Sequence, residues 1–257
     1  MGEELEQLLE LFVSACREVF GDEKIECIVF HGSALKGGSI PGFSDIDFMV
    51  FLTPESFDDR GDLPDESAFA MQERIGPLPW QQAGFLDAQA YFYDARRLPP
   101  WWTGPIPGAH RVLLGELPVG VTPTGERLRA SSLRFLEEEL PKRITQSVRS
   151  FADADDATLP RRIRLLCTNV TPALFAMQSS EVEEVLELWA QPKDAALRLL
   201  EARYPNADGP ALARRFYEDV RRLYSGEFDA ELGRMTFRTG VAFLRWAEEA
   251  ARRQSSG

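Results

Sequence analysis

Apolar residues recur every three or four positions near the start of the chain, and this spacing predicts an amphipathic helix over residues 3–20. The pattern then changes to three short apolar runs, which predict β-strands over residues 24–30, 45–52 and 85–93. Between the second and third runs, a less regular apolar pattern predicts a helix over residues 65–76. This part of the chain is therefore expected to form a small mixed sheet with helices beside it.

The pattern becomes helical in the second half of the chain. Residues 96–124 are rich in Pro and Gly, and we interpret them as an irregular crossover that ends the first domain. Ser180 and Glu183 have the spacing of a capping box, which places the start of a helix just after Ser180. The helices predicted by the apolar period beyond the crossover cover residues 125–150, 159–178, 181–190, 193–203, 210–225 and 229–253.

These patterns predict an α+β fold, with a small mixed-sheet domain over residues 1–122 and an α-helical bundle domain over residues 123–257. Of the 257 residues, 44% are hydrophobic and 27% are charged, as in ordinary globular proteins. No apolar run approaches the ~20 residues that a membrane-spanning helix needs. The N-terminus is acidic and amphipathic, unlike a signal peptide, so no membrane partner is expected. Cys16, Cys27 and Cys167 are odd in number and lack metal-site spacing, and we interpret them as reduced, buried thiols of a cytoplasmic protein.

The charge is distributed unevenly along the chain. Residues 1–120 contain 8 Lys and Arg against 20 Asp and Glu, whereas the remaining residues contain 21 of each kind. A groove that tracks nucleic-acid phosphates needs the opposite sign, so long nucleic acid is disfavoured as a partner. The acidic half is compatible with a cationic small molecule and equally with ordinary solubilising charge.

Two polar motifs interrupt the apolar runs of residues 28–51. Gly32 and Ser33 follow the first run, and Asp45 and Asp47 open the second. Because side chains alternate along a strand, the two carboxylates point to the same face, where their like charges repel unless a cation lies between them. The usual cation for such a pair is Mg²⁺ in the company of nucleotide phosphates.

The Gly-Ser step completes the pattern. Gly32 permits a tight turn after the strand, and Ser33 is expected to cap a short helix over residues 33–36 and to present its hydroxyl to an anion. A Gly-Ser, a loop of this length and an Asp-x-Asp resemble the DNA polymerase β-like nucleotidyltransferases. The resemblance implies a nucleotidyltransferase domain followed by the helical bundle, and Mg²⁺ as the cofactor. It also implies that Asp87, in the third predicted strand, is the third carboxylate, with Asp94 the next candidate.

Four segments, HGSALKGG, FSDIDFMV, LDAQAYFYD and LLGEL, resemble in order the aminoglycoside adenylyltransferases of the streptomycin/spectinomycin type. The likeness is concentrated in the first 120 residues. It implies that a monomer transfers AMP from ATP to a hydroxyl of a small-molecule acceptor, with an aminoglycoside as the candidate. The same resemblance implies that Asp45, Asp47 and Asp87 bind the metal and take part in catalysis. It also implies that the nucleotide is contacted by Gly32, Ser33, Ser44, Lys193 and Tyr224.

The chain departs from that subgroup at three places. Asp87 is shorter than the family's Glu, and Leu117 stands near the position of an aromatic residue that contacts the drug. Glu181 and Glu183 stand at a helix start where the family offers a Lys to the phosphates, with Lys193 nearby. These differences affect the choice of acceptor more than the class of reaction.

Two other functions remain open from the sequence. A non-catalytic nucleotide-binding module would be expected to have a broken carboxylate set, and this chain keeps a candidate for each member. A protein-modifying or toxin–antitoxin nucleotidyltransferase would usually be shorter and lack the helical half. The chain has only two His residues and no G-x-x-x-x-G-K-[ST] segment, which excludes a His-rich zinc site and a P-loop enzyme.

Overall fold

A computed structural model describes residues 2–98, 102–226 and 228–255. The chain divides into two compact units, Met1–Pro123 and Thr124–Gly257. The first combines a sheet with helices and the second is helical, so the chain has the mixed α+β class that the sequence predicts.

The first unit is organised around a four-stranded sheet in the order β3-β2-β1-β4. β1 lies antiparallel to both of its neighbours, β2 and β4, whereas β2 and β3 run parallel. β3 and β4 are therefore the two edges. The strands are β1 (Ile25–His31), β2 (Ile46–Leu52), β3 (Ala88–Asp94) and β4 (His110–Gly115).

Helices and loops cover parts of both faces of this sheet. α1 (Glu3–Phe20) packs on one face, where the Phe12 ring stacks on the Phe48 ring with centroids 3.6 Å apart. On the other face, Val29 and Phe51 pack with Trp102 and Val121 in a second apolar cluster. The described residues of this unit also form the α-helices α2 (Ser33–Lys36) and α3 (Asp65–Ile75) and short 3-10 helices.

Most predicted elements of the first unit are confirmed to within one or two residues, but β4 was missed. The segment 96–124, predicted to be an irregular crossover, contains this strand, and its residues 99–101 lie outside the described part of the chain. β4 is an edge strand, and Val112 at its middle is 37% exposed. The alternation of apolar and polar residues along β4 is therefore weak, and the sequence pattern does not indicate a strand. Its pairing with β1 identifies it as a strand.

The second unit is built from helices of which α10 contacts both α6 and α9. A π-helical turn, Phe135–Glu139, joins α4 to α5, so the single helix predicted over residues 125–150 is divided in two. The helices of this unit are α4 (Gly125–Arg134), α5 (Leu140–Ala152), α6 (Leu159–Ser179), α7 (Val185–Ala190), α8 (Lys193–Arg203), α9 (Asp208–Leu223) and α10 (Ala230–Ser255).

The predicted capping box at the start of α7 is wrong. Ser180 has helical dihedral angles, φ −74° and ψ −16°, and ends α6. An N-cap residue needs an extended backbone, so Ser180 cannot cap the following helix. α7 begins at Val185, four residues later than predicted, with Glu184 in the cap position.

Within the part of the chain that the structure describes, no helix combines the length and the apolar character needed to cross a membrane.

The Phe12–Phe48 contact generates a test of the first unit's core. Phe48 is fully buried, so Phe48→Ala is expected to lower the free energy of unfolding by about 3–5 kcal/mol. The matched control is Phe69→Ala on α3, because Phe69 is 67% exposed and its loss should cost no more than about 0.5 kcal/mol. Urea denaturation followed by circular dichroism measures both variants. Equal costs would contradict the packing described for α1 and β2.

Candidate active site

Asp45 and Asp47 flank the start of β2, with Ile46 between them. Ile46 is fully buried in the apolar cluster beneath α1, so the two Asp residues belong to the opposite face. Asp47 pairs across the sheet with His31 of β1 and with Gln89 of β3. β2 thus carries the carboxylate pair in the arrangement expected from alternation along a strand.

Gly32 lies directly against Asp47. Its φ is +86°, a value that side-chain-bearing residues rarely adopt, and a Cβ atom at this position would overlap Oδ2 of Asp47. Glycine is therefore required both for the turn and for the close approach. The Gly-Ser motif and the Asp-x-Asp motif, eleven residues apart in sequence, meet at this point.

The two serines of the predicted site occupy different environments. Ser33 is the first residue of α2 and does not cap it, because Gly32 takes the cap position and no side-chain cap bond is made. Ser44 is buried, and its Oγ accepts a hydrogen bond from the Ile40 N–H at 2.8 Å. Its carbonyl accepts one from the Leu86 N–H at 3.0 Å. Ser44 therefore ties the Gly-rich loop to the segment before β3.

Asp87 immediately precedes β3, and its carbonyl accepts a hydrogen bond from the Ile46 N–H at 3.1 Å. Since Ile46 is registered with Ala88, the preceding residues Asp45 and Asp87 are also neighbours across the parallel pair. Asp94 lies at the far end of β3, opposite Leu52. It makes ion pairs with Arg96 and Arg97, which removes it as an alternative to Asp87.

The electrostatics of the site show that these carboxylates influence one another. Burial, together with the charge of Asp87, raises the pKa of Asp47 to about 7, while Lys36 opposes the shift. Burial and the charges of Asp47 and Asp45 also raise the pKa of Tyr91. The three carboxylates and Tyr91 therefore share one side of the sheet, in a place where negative charge is costly.

A polar row crosses all four strands at this end of the sheet. His110, His31, Asp47 and Gln89 are successive cross-strand partners from β4 to β3. His31 Nε2 is buried with no hydrogen-bond partner. Burial and the nearby charges of Lys36 and His110 lower the pKa of His31 to about 4, so its ring is neutral near pH 7. No pattern in the sequence indicates this position for His110, because the position depends on the pairing of β4 with β1.

The carboxylates do not form a closed metal cage. Among residues 2–98, 102–226 and 228–255, no group of three His, Cys, Asp or Glu side chains is arranged to hold a metal ion. Mg²⁺ commonly binds through one or two protein carboxylates, with water and substrate phosphates completing its shell. The adjacent Asp45 and Asp47, one of them half-buried with a raised pKa, fit that kind of open site.

The remaining predicted contacts belong to the second unit. Lys193 begins α8 and is buried, with its Nζ 5.5 Å from the centroid of the Tyr217 ring. Burial lowers the pKa of Lys193. The Tyr224 hydroxyl donates a hydrogen bond to the Pro160 carbonyl at 3.0 Å, and burial raises its pKa to about 12. Both side chains are held by contacts inside this unit.

No model of a known protein family matches this chain, and no curated protein matches its sequence.

The raised pKa of Asp47 generates a prediction about stability. Its pKa rises from 3.8 to about 7 on folding, so the folded state favours the protonated acid and the wild type loses stability as pH rises across this window. Asp47→Asn cannot ionise. The variant should therefore be more stable than the wild type at pH 8, by up to about 4 kcal/mol, with the gain shrinking towards pH 4.5.

Urea denaturation in EDTA at several pH values measures the difference. Asp59→Asn, which changes an exposed carboxylate, is the control and should shift stability by no more than about 0.5 kcal/mol. A gain for Asp47→Asn that does not vary with pH would contradict the burial of an ionisable group at this position.

Proposed function

We propose that this chain is a metal-dependent nucleotidyltransferase that transfers AMP from ATP to a hydroxyl of a small-molecule acceptor. The observation that carries the proposal is the contact between the Gly32 turn and the Asp47 carboxylate, with Asp45 and Asp87 on the same face. The glycine turn lies against a pair of acidic residues. Its backbone can approach a phosphate closely, and the neighbouring carboxylates need a cation. An aminoglycoside acceptor is supported only by the motif resemblance.

Asp45 and Asp47 would hold Mg²⁺ in this proposal. The ion supplies positive charge that neutralises the triphosphate and the departing pyrophosphate. Because the pKa of Asp47 lies near 7 without a cation, metal binding and ionisation of this residue are coupled. The Asp47 side chain is thus suited to ionise when Mg·ATP binds, and its charged form is unfavourable when no cation is bound.

Asp87 would take the proton of the acceptor hydroxyl. The freed oxygen forms a bond to the α-phosphorus, and the bond between the α-phosphorus and the bridging oxygen breaks, with its electron pair leaving on pyrophosphate. A base must lie within about 3 Å of the hydroxyl, directly or through one water. Asp87 is one methylene shorter than Glu, so the bound acceptor has to approach the start of β3 closely.

The other residues have supporting roles in the proposal. The backbone of Gly32 and Ser33 contacts the phosphates, and Ser44 positions the loop, since its hydroxyl is already bonded to the Ile40 N–H. Lys193 and Tyr224 are assigned to the nucleotide by the resemblance alone.

Nucleotide binding can be tested by thermal stability. Mg·ATP at a hundredfold excess over its dissociation constant should stabilise the folded chain by about 2.7 kcal/mol. Asp47→Asn should abolish this gain, because it removes the ligand that pairs with Asp45. Calorimetric melting with Mg·ATP, Mg²⁺ alone, and ATP with EDTA separates the contributions. Identical melting curves for the wild type with and without saturating Mg·ATP would rule out the proposed activity.

Catalysis can be tested at Asp87. Asp87→Asn should retain the Mg·ATP stabilisation yet lower turnover by the ~10²–10⁴ typical of a lost general base. Asp87→Glu should retain or raise turnover, because its longer side chain reaches further. Mass spectrometry for an added AMP group on streptomycin, spectinomycin and neutral sugars gives the rate. Wild-type turnover in Asp87→Asn would show that another group is the base, and ATP binding without transfer to any acceptor would favour a non-catalytic module.

A further inference from the structure

A cavity of about 580 Å³ lies beside Asp87, wholly within the first unit. It is bounded by the C-terminal end of α3, the turn that follows, and the residues that lead into β3. Its volume is in the range of about 300–1,000 Å³ that is usual for small-molecule sites. The cavity therefore has room for one ring system of modest size.

The walls combine a rigid apolar floor with amide groups. Trp80 is 4% exposed, and its Nε1 donates a hydrogen bond to the Ile75 carbonyl at 2.9 Å, which fixes the indole. Gln72, Gln81 and Gln82 line the cavity at exposed positions. Each glutamine amide offers both donors and an acceptor, so the set can bond to hydroxyl groups, which have the same dual character.

The charge of the cavity limits what it can bind. Among the described residues that line the cavity, Asp87 is the only one with an ionisable side chain. A phosphate group bound here would be repelled by the carboxylate and would have no cation to pair with. A polycation would have a single negative charge to pair with its several positive groups, so neither class of ligand is favoured. The large acid excess of the first 120 residues therefore does not extend to this surface.

Asp87 connects the cavity to the candidate active site. The same residue lines the cavity and is the neighbour of Asp45 across the parallel pair of β2 and β3, where its carbonyl accepts the hydrogen bond from the Ile46 N–H. A hydroxyl bound in the cavity beside Asp87 would thus lie next to the proposed base, at the edge of the sheet where β3 begins beside β2.

We propose that this cavity is the acceptor site and that it takes a polyhydroxylated ring, a cyclitol or a sugar, with at most one positive charge. The inference rests on the proposed function, since it assigns the cavity to the acceptor of the same reaction. The glutamine amides bond to the ring hydroxyls, Trp80 and the neighbouring apolar residues contact its carbon skeleton, and Asp87 takes the proton of the hydroxyl that reacts.

The test uses myo-inositol as an uncharged cyclitol and streptomycin as a polycation, with saturation-transfer NMR on the full chain. We expect myo-inositol to bind more tightly than streptomycin. Gln81→Leu and Gln82→Leu should each weaken myo-inositol binding by about two- to tenfold, the value of one lost hydrogen bond. Gln7→Ala on α1 changes an exposed glutamine outside the cavity and should leave the binding unchanged.

A charge variant provides an independent check on specificity. Gln81→Glu adds a carboxylate to the lining and should shift the preference towards streptomycin. No binding of myo-inositol, or equal binding in the wild type and both leucine variants, would overturn the inference. Tighter binding of streptomycin than of myo-inositol by the wild type would overturn it as well.

Mg·ATP stabilisation, measured on the same samples, separates this inference from the proposed function. Gln81 and Gln82 do not belong to the carboxylate site, so their variants should retain the stabilisation. If the wild type is stabilised by Mg·ATP and does not bind myo-inositol, the acceptor assignment alone fails. If Mg·ATP has no effect on the wild type, the nucleotidyltransferase proposal fails first.

Discussion

The close approach of the Gly32 backbone to the Asp47 carboxylate is the constraint on which the chemistry of the first unit depends. It requires a residue without a side chain at the end of β1, and it requires β1 and β2 to pair in the register that sets His31 opposite Asp47. A shift of one residue would turn the carboxylate to the face covered by α1. The buried stack of Phe12 on Phe48 opposes such a shift, because it anchors the neighbouring position of β2 in the core.

This constraint also creates an electrostatic demand. Burial and the charge of Asp87 raise the pKa of Asp47, and Lys36 only partly offsets this shift. A divalent cation that binds together with a polyphosphate would relieve the repulsion between the carboxylates. The phosphate oxygens and water would supply the rest of its ligands. The open two-carboxylate arrangement and the absence of a three-ligand cage in the described residues are both consistent with that requirement.

The cavity beside Asp87 illustrates the difference between net charge and local charge. The first 120 residues are strongly acidic, which on its own would favour a cationic ligand. The lining residues of the cavity include three glutamines and a single carboxylate. Recognition depends on the groups that contact the ligand. The acid excess elsewhere on the unit therefore affects the rate at which a cationic ligand associates more than the choice between ligands.

Local patterns in the sequence were enough to predict α1, α2, β1 and β2, and the shared face of Asp45 and Asp47. α1, β1, β2 and the shared face follow from a hydrophobic period or from alternation along one strand, whereas α2 was predicted from the Gly-Ser step. β4 could not be predicted in this way, because an exposed edge strand is defined by its pairing with β1. The position of His110 opposite His31 could not be predicted either, since it depends on the same pairing.

The tertiary structure also decided between residues that the sequence left equivalent. Register with β2 places Asp87 beside Asp45 and Asp94 at the opposite end of β3, and the helical backbone of Ser180 rules out the capping box. The cavity is lined jointly by residues of α3, of the turn that follows it and of the segment that leads into β3. The physical reason is the same in each case. A sequence period reports which side of one element is buried, whereas register and proximity depend on packing between residues far apart in the chain.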